Sequence, residues 1–225
     1  MEYEVLPDPA AVANRAADIV QAEIDSYGGI LLGLAGGSTP RSTYEALAHR
    51  SINWSYTTAW MTDERWVAPD DDESNQNMAR SSLIDPTGLA FLAPDTTGDS
   101  IEQAAVEFSA VIVNAVERAN RSVVLLGIGT DGHTASLFPG SPALGDTGVR
   151  YVANYVETLG AWRLTATFDL LATADIVIFL VTGASKADMI ASIAEGADVP
   201  SARVTARDQT LWLLDEAAAS GFRRP

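Results

Sequence analysis

The stretch LLGIGTDGHTASLFPG, residues 125–140, contains the residues of this chain best suited to chemistry. The glycines at 127, 129 and 132 keep the backbone compact and leave Asp131 and His133 as the main reactive side chains, and His133 is one of only two histidines. A carboxylate can hold a neighbouring imidazole in one tautomer, so that the imidazole acts as a general base near neutral pH. The alternative is a capping aspartate beside a buried structural histidine. A metal site is disfavoured, because His49 is the only other histidine that could assist.

A second candidate site is the segment LAGGSTP, residues 34–40, which follows an apolar run. Gly36 and Gly37 allow the backbone to approach a ligand closely. The helix predicted to follow offers free N–H groups, and Ser38 and Thr39 add hydroxyl donors, so the segment could hold an anion such as phosphate. It is not a Walker A loop, because no Gly-Lys-Ser/Thr follows. The alternative is a tight strand-to-helix turn that is merely rich in glycine.

The third candidate is Lys186, the only lysine of the chain, in the segment TGASKAD. It lies at the start of a predicted helix, where the helix dipole disfavours a cation. A role as phosphate partner explains this position better than a stabilising role, and an ordinary surface lysine is the alternative. Arg163, on a predicted strand upstream, could supply a second positive charge.

Charged residues also follow the predicted strand TTAWMT, residues 57–62. Asp63, Glu64 and Arg65 lie where this strand ends, so Asp63 and Arg65 are candidates for contacts with a ligand. A neutralised cluster of surface charges is the alternative. The acidic run 70–73 is interpreted as a solvated loop, since it lacks the spaced carboxylates and central glycine of a calcium-binding loop.

Composition limits the classes to which the chain can belong. The 225 residues are 47% hydrophobic, include no cysteine and carry a formal net charge of -16. Without cysteine there are no disulfides, thiolate metal ligands or cysteine nucleophile. The negative charge and the lack of a basic block disfavour nucleic acid and anionic membranes as partners. No apolar run approaches the ~20 residues of a membrane span, and the acidic N-terminus lacks signal-peptide features, so we expect a cytoplasmic protein.

Helix and strand patterns alternate along the chain and position these candidates. Apolar strands are predicted at 28–35, 57–62, 122–128, 175–181 and 210–214, and strands with β-type alternation at 150–156 and 162–168. Helices are predicted at 8–26, 38–48, from 75 onward, at 100–119, 183–196 and after Asp215. The pattern favours a mostly parallel sheet with helices on both faces, in one domain spanning residues 1–225. Ligands bind beyond the carboxyl ends of such strands, and four loops follow such ends, at 36–40, 63–65, 129–134 and 183–186.

Five segments of the chain resemble the signature segments of 6-phosphogluconolactonases, in order and over about residues 30–215. They are LAGGSTP, TDERWV with DDDESNQNM, GIGTDGHTASLFPGSP, RLTAT and VTGASKADM. The resemblance implies a three-layer α/β/α fold with a Rossmann-like sheet, no metal or organic cofactor, and hydrolysis of the lactone made by glucose-6-phosphate dehydrogenase. It implies that His133 is the catalytic base, with Asp131 near it. It places around the substrate the loop Gly36 to Thr39 together with Asp63, Arg65, Arg163 and Lys186.

Two other functions are compatible with parts of this pattern. Glucosamine-6-phosphate deaminases resemble the chain in several loops, but they usually carry an acidic residue where Phe138 stands, and an apolar ring cannot relay protons. A non-catalytic sugar-phosphate sensor would need an effector domain, for which the chain has no room. We therefore expect an enzyme whose partner is a phosphorylated sugar lactone, as a monomer or weak homodimer.

Overall fold

Ten strands form two sheets in the computed structural model, which describes residues 2–145 and 148–221. The strands are β1 (Glu2–Leu6), β2 (Leu31–Leu34), β3 (Thr58–Met61), β4 (Asp63–Arg65), β5 (Ala90–Leu92), β6 (Ser122–Leu126), β7 (Tyr151–Val156), β8 (Ala161–Ala166), β9 (Ile176–Val181) and β10 (Gln209–Asp215). Seven of them form a wholly parallel sheet in the order β1-β10-β9-β6-β2-β3-β5. The other three form an antiparallel sheet in the order β4-β8-β7.

Helices cover both faces of the parallel sheet. They are α1 (Pro9–Tyr27), α2 (Ser38–Ala48), α3 (Asn75–Ala79), α4 (Asp85–Thr87), α5 (Ile101–Arg118), α6 (Phe168–Leu171), α7 (Ala187–Ala194) and α8 (Pro200–Arg203), with a π-helical turn at Arg80–Ile84. Because side chains alternate along a strand, β9 sends Ile178 to a core with α1 and α2, and Phe179 to a core with α5 and α7. The predicted α/β architecture with a mostly parallel sheet is thus confirmed.

Local signals at the helix ends explain why these segments fold as they do. The Asp8 carboxylate accepts the Ala11 N–H at 2.8 Å, and Pro9 occupies the first helical position of α1. The Ser100 hydroxyl caps α5 by accepting the Gln103 N–H at 3.2 Å.

Three features of the fold differ from the sequence prediction. Strands β1 and β5, at the edges of the parallel sheet, were not predicted, and neither was β4, because residues 63–65 were predicted to form a loop. The helix predicted after Asp215 is wrong, because residues 216–221 form turns in which the Asp215 carboxylate accepts the Ala218 N–H at 2.7 Å. Strands β7 and β8 were predicted, but they lie outside the parallel sheet and pair with each other, and β8 also pairs with β4. A single domain at 1–225 stays a prediction, and its range includes residues outside the described ones.

The four segments with candidate residues, three loops and the short strand β4, converge at one edge of the parallel sheet. They follow β2, β3, β6 and β9, which are adjacent in the order β9-β6-β2-β3. Because all four strands run in the same direction, their carboxyl ends meet at one edge. Among the described helices, none has the length and apolar character needed to cross a membrane.

Candidate active site

A cavity of about 280 Å³ opens at the carboxyl ends of β9, β6, β2 and β3. All four segments contribute to its lining. The predicted site residues that line it are Gly36, Gly37, Ser38, Thr39, Asp63, Arg65, His133 and Lys186. Two predicted site residues, Asp131 and Arg163, do not line the cavity but contact residues that do. His49 lies apart from it, exposed on the surface, with its Nδ1 2.6 Å from the Glu45 carbonyl.

The imidazole of His133 is held by Asp131. The Asp131 Oδ1 lies 2.6 Å from His133 Nδ1 and also accepts the backbone N–H of His133 at 3.1 Å. Burial of the Asp131 carboxyl works to raise its pKa, but the hydrogen bonds and charge of His133 outweigh burial and lower that pKa. An ionised Asp131 accepts a hydrogen bond from Nδ1–H, so the neutral imidazole carries its lone pair on Nε2. Nε2 has no hydrogen-bond partner within residues 2–145 and 148–221.

The glycines around this pair are required by close contacts. A Cβ on Gly129 would overlap both His133 Nδ1 and the Asp131 carboxylate. Gly132 has φ +82°, a conformation that side-chain-bearing residues rarely adopt, and a Cβ there would also overlap Val199. The turn is closed by the Gly129 N–H, which donates to the His133 carbonyl at 2.8 Å. The glycine-rich sequence therefore builds the tight turn that brings Asp131 against His133.

The antiparallel sheet anchors the His133 loop through Ser136, which the sequence analysis did not single out. The Ser136 hydroxyl donates to the Asp63 carboxylate at 2.8 Å. Its N–H donates to the Thr165 hydroxyl at 3.1 Å, and its carbonyl accepts from the Asn154 amide at 2.9 Å. All four residues are buried. Since a buried polar group left without a partner is costly, these bonds fix the loop relative to β4, β7 and β8.

The loop after β2 leads directly into α2. Gly37 has φ +108°, and Gly36 packs so closely on Asn75 that a Cβ would overlap its side-chain amide. The Thr39 hydroxyl is 2.7 Å from the hydroxyl of Thr182, which follows β9. Asn75 and Thr182 both line the cavity and were missed by sequence analysis. Only their three-dimensional position makes them candidates.

Glu64 joins β4 to the start of α3. Its side chain is fully buried, and its carboxylate accepts the N–H groups of Arg65, Asn75 and Gln76 at 2.7, 2.7 and 2.6 Å. The Ser74 hydroxyl adds a fourth hydrogen bond at 3.1 Å. Burial raises the pKa of Glu64, and the three N–H donors lower it by less. The interpretation of Asp63–Arg65 as a surface charge cluster is therefore wrong for Glu64.

Positive charge reaches the cavity from two sides. Arg65 and Arg163 lie opposite each other in the β4–β8 register; burial and the neighbouring charge of Arg65 lower the pKa of Arg163. Lys186 lies just before α7. Burial lowers the pKa of Lys186, and the negative charge of Asp131 raises it by less. Neither Arg65 nor Lys186 forms an ion pair with a described residue. Within the same residues, no cluster of histidine and carboxylate groups could hold a metal ion.

Comparison with known proteins gives a consistent result. The family model described as glucosamine-6-phosphate isomerases/6-phosphogluconolactonase matches residues 8–212. A curated 6-phosphogluconolactonase of Nostoc sp. is 34% identical, with 96% of each chain covered, and one of Synechocystis sp. is 35% identical, with 85% of this chain and 84% of the relative covered.

The solved structures that match this chain extend over nearly its whole length. The crystal structure of a devB protein is 29% identical with a TM-score of 0.89, covering 99% of both chains. That of a 6-phosphogluconolactonase from Thermotoga maritima is 25% identical with a TM-score of 0.85, covering 95% of this chain and 99% of the other. The resemblance found in the sequence is thereby confirmed: this chain belongs to the glucosamine-6-phosphate isomerase/6-phosphogluconolactonase family.

Proposed function

We propose that this chain hydrolyses 6-phospho-D-glucono-1,5-lactone to 6-phospho-D-gluconate in the oxidative pentose phosphate pathway. The observation that carries the proposal is the imidazole of His133, which lines the cavity with Nδ1 bound to Asp131 and with Nε2 free of hydrogen bonds to the residues that the structure describes. The similar proteins named 6-phosphogluconolactonase support it, at 34% and 35% identity. Phe138, at the position where deaminases usually carry an acidic residue, argues against deamination.

In the proposed mechanism, His133 Nε2 takes a proton from water while the water oxygen bonds to the lactone carbonyl carbon. Asp131 stabilises the imidazolium that forms. The carbonyl oxygen becomes an oxyanion, which a cation of the cavity stabilises. The oxyanion then collapses, the bond to the ring oxygen breaks, and the imidazolium returns its proton to that oxygen. The products are a free hydroxyl and a carboxylic acid, which loses its proton to solvent to give the carboxylate, so the reaction needs no covalent intermediate.

The substrate phosphate is proposed to lie against Lys186 and the start of α2, from Gly36 to Thr39. Arg65, with Arg163 behind it, is then available for the oxyanion. A side-chain oxygen of Asp63, which lines the cavity, is suited to accept a hydrogen bond from a sugar hydroxyl. Repulsion between the phosphate and the net charge of -16 is screened beyond ~8 Å at physiological salt, so the local cations decide binding. We further propose a cytoplasmic enzyme that acts as a monomer or weak homodimer, without metal or organic cofactor.

The test follows the loss of lactone generated in situ from glucose 6-phosphate by its dehydrogenase. Wild-type protein should accelerate this loss over the protein-free rate. His133→Ala should lower kcat by roughly 10²- to 10⁴-fold, the usual worth of a positioned general base, with little change in substrate binding. His49→Ala is the matched control and should retain full activity. A His133→Ala variant with near-wild-type kcat would refute the assignment.

The same assay separates the proposed roles of the cations. Lys186→Ala should mainly raise KM, since a lost charge-assisted bond to phosphate costs ~1.5–3 kcal/mol. A fall in kcat at unchanged KM would instead place Lys186 at the oxyanion. If wild type binds the phosphosugar without turnover, the protein is a sensor, and ammonia release from glucosamine 6-phosphate would show a deaminase.

A further inference from the structure

The ring of Phe138 lies on one face of the His133 imidazole. The two ring centroids are 4.1 Å apart and the ring planes are inclined by 26°. Asp131 binds the Nδ1 edge of the same imidazole, and the backbone of Gly129 lies close to its Nδ1 and Cε1 atoms. The imidazole is therefore contacted on one face and one edge, and its Nε2 edge is left for the cavity.

Packing in the hydrophobic core does not account for this position of Phe138. The side chain is only half-buried, and it belongs to neither of the two core clusters that flank the parallel sheet. Its stacking partner is a polar residue of the candidate active site. Since aromatic pairs favour particular geometries by ~0.5–1.5 kcal/mol beyond the area that they bury, this contact defines the plane of the imidazole.

A single hydrogen bond does not define that plane. Rotation of a histidine ring about its Cβ–Cγ bond has broad energy minima, so an imidazole bound only at Nδ1 could tilt and carry Nε2 away from the substrate. Stacking on Phe138 opposes this tilt, and Gly129 limits the space at the Nδ1–Cε1 edge. Small errors in the placement of a catalytic group reduce rate strongly.

We propose that Phe138 is a positioning residue, whose ring holds the His133 imidazole in the plane that directs Nε2 at the substrate. This inference rests on the proposed role of His133 as general base. Phe138 does not line the cavity and acts only through the His133 ring on which it stacks. It therefore affects the rate of the chemical step and leaves binding of the phosphosugar unchanged.

The kinetic test compares Phe138→Leu, which keeps an apolar side chain without a ring, with Phe138→Tyr, which keeps the ring. Loss of the orienting contact should lower kcat of Phe138→Leu about 2- to 12-fold at unchanged KM, and Phe138→Tyr should stay near wild type. Tyr155→Leu removes a ring from the exposed Tyr155–Trp162 pair, outside the cavity, and should leave kcat unchanged. Equal kcat for Phe138→Leu and wild type, or an equal loss in both Phe138 variants, would overturn the positioning role.

An activity-independent test uses the two histidines of the chain as NMR probes. In wild type, the ring current of Phe138 shields the carbon-bound protons of the His133 imidazole. Their signals should move downfield in Phe138→Leu, while those of His49 stay in place, and a His133→Gln spectrum assigns the two residues. Unmoved His133 signals would overturn the stack itself. An inactive wild type would overturn the proposed function, whereas an active wild type with an equally active Phe138→Leu would overturn only the positioning role.

Discussion

Replacing Glu64 by glutamine tests how the loop from β4 to α3 is held in place. The substitution keeps the shape of the side chain and changes one carboxylate oxygen into an NH₂ group. In wild type, Oε1 accepts the N–H groups of Arg65 and Asn75, and Oε2 accepts the Gln76 N–H and the Ser74 hydroxyl. With the NH₂ in place of Oε2, Ser74 can turn to accept a hydrogen bond, but the N–H of Gln76 cannot.

The expected loss of stability follows from the number of N–H groups left without an acceptor. One buried N–H without an acceptor costs ~1–3 kcal/mol. Removing the charge of the buried carboxylate, whose burial raises the pKa of Glu64, offsets part of that cost, so Glu64→Gln should lower the free energy of unfolding by less than ~3 kcal/mol at neutral pH. Glu64→Ala would leave three such N–H groups and cost ~3–9 kcal/mol, comparable with a total stability of ~5–15 kcal/mol. The glutamine variant is therefore the informative one. Because Arg65 and Asn75 line the cavity, its KM should also rise.

Wild type and Glu64→Gln should also differ in the pH dependence of stability. Burial raises the pKa of Glu64 above its ordinary value of 4.5 in the folded protein. In the interval between 4.5 and the raised pKa, the folded state binds more protons than the unfolded state, so the free energy of unfolding falls as pH rises. Glutamine does not titrate, and the contribution of Glu64 to this slope should be absent in the variant.

Urea denaturation across this pH range measures both effects. Glu73→Gln is the matched control, because Glu73 is exposed and its carboxylate holds none of these N–H groups; its change should stay within about 0.5 kcal/mol. If Glu64→Gln destabilises no more than Glu73→Gln at neutral pH, the carboxylate does not hold this loop.

Three further changes probe the cavity. Gly129→Ala should abolish most of kcat, because its Cβ would displace His133 and Asp131, whereas Gly98→Ala, outside the cavity and where a Cβ meets no atom, should retain activity. Asp215→Asn should raise KM in the lactonase assay, because both Asp215 carboxylate oxygens accept the Gly183 N–H at 3.0 Å ahead of Lys186. The pKa of Asp131 is lowered in the folded protein, so its ionised carboxylate stabilises the folded state at pH values above the ordinary pKa of 3.8. This stabilisation is lost as pH falls through the folded-state pKa. The free energy of unfolding, measured in acid titrations, should therefore fall less in Asp131→Asn than in wild type.

Much of the fold and the cavity could be predicted because their signals are local. Apolar runs that end in glycines mark the carboxyl ends of strands, and these ends meet when the strands are parallel. The partners that secure the site are distant in sequence. The bonds of Ser136 to Asp63 and Asn154, 73 and 18 residues away, depend on the pairing of β4, β7 and β8, which alternation alone does not specify. In the same way, nothing in the segment TDERWV distinguishes Glu64 from a surface charge, because the N–H groups that bind its carboxylate belong partly to α3, about 11 residues away.

Which charged side chains find a counter-ion also depends on contacts that are distant in sequence, and this bears on the ligand of the cavity. A chain with 30 acidic and 14 basic residues offers every cation an abundance of partners. Several arginines form ion pairs with acidic residues, as Arg15 does with Glu4 and Arg50 with Asp18. Arg65 and Lys186, which line the cavity, form no ion pair with any residue that the structure describes. The Arg65 guanidinium donates to the Glu73 carbonyl, a neutral acceptor that leaves its charge without a counter-ion. A cation without a counter-ion at a partly buried site is costly. An anionic ligand bound in the cavity would supply the counter-ion for both side chains and so explains why both line it.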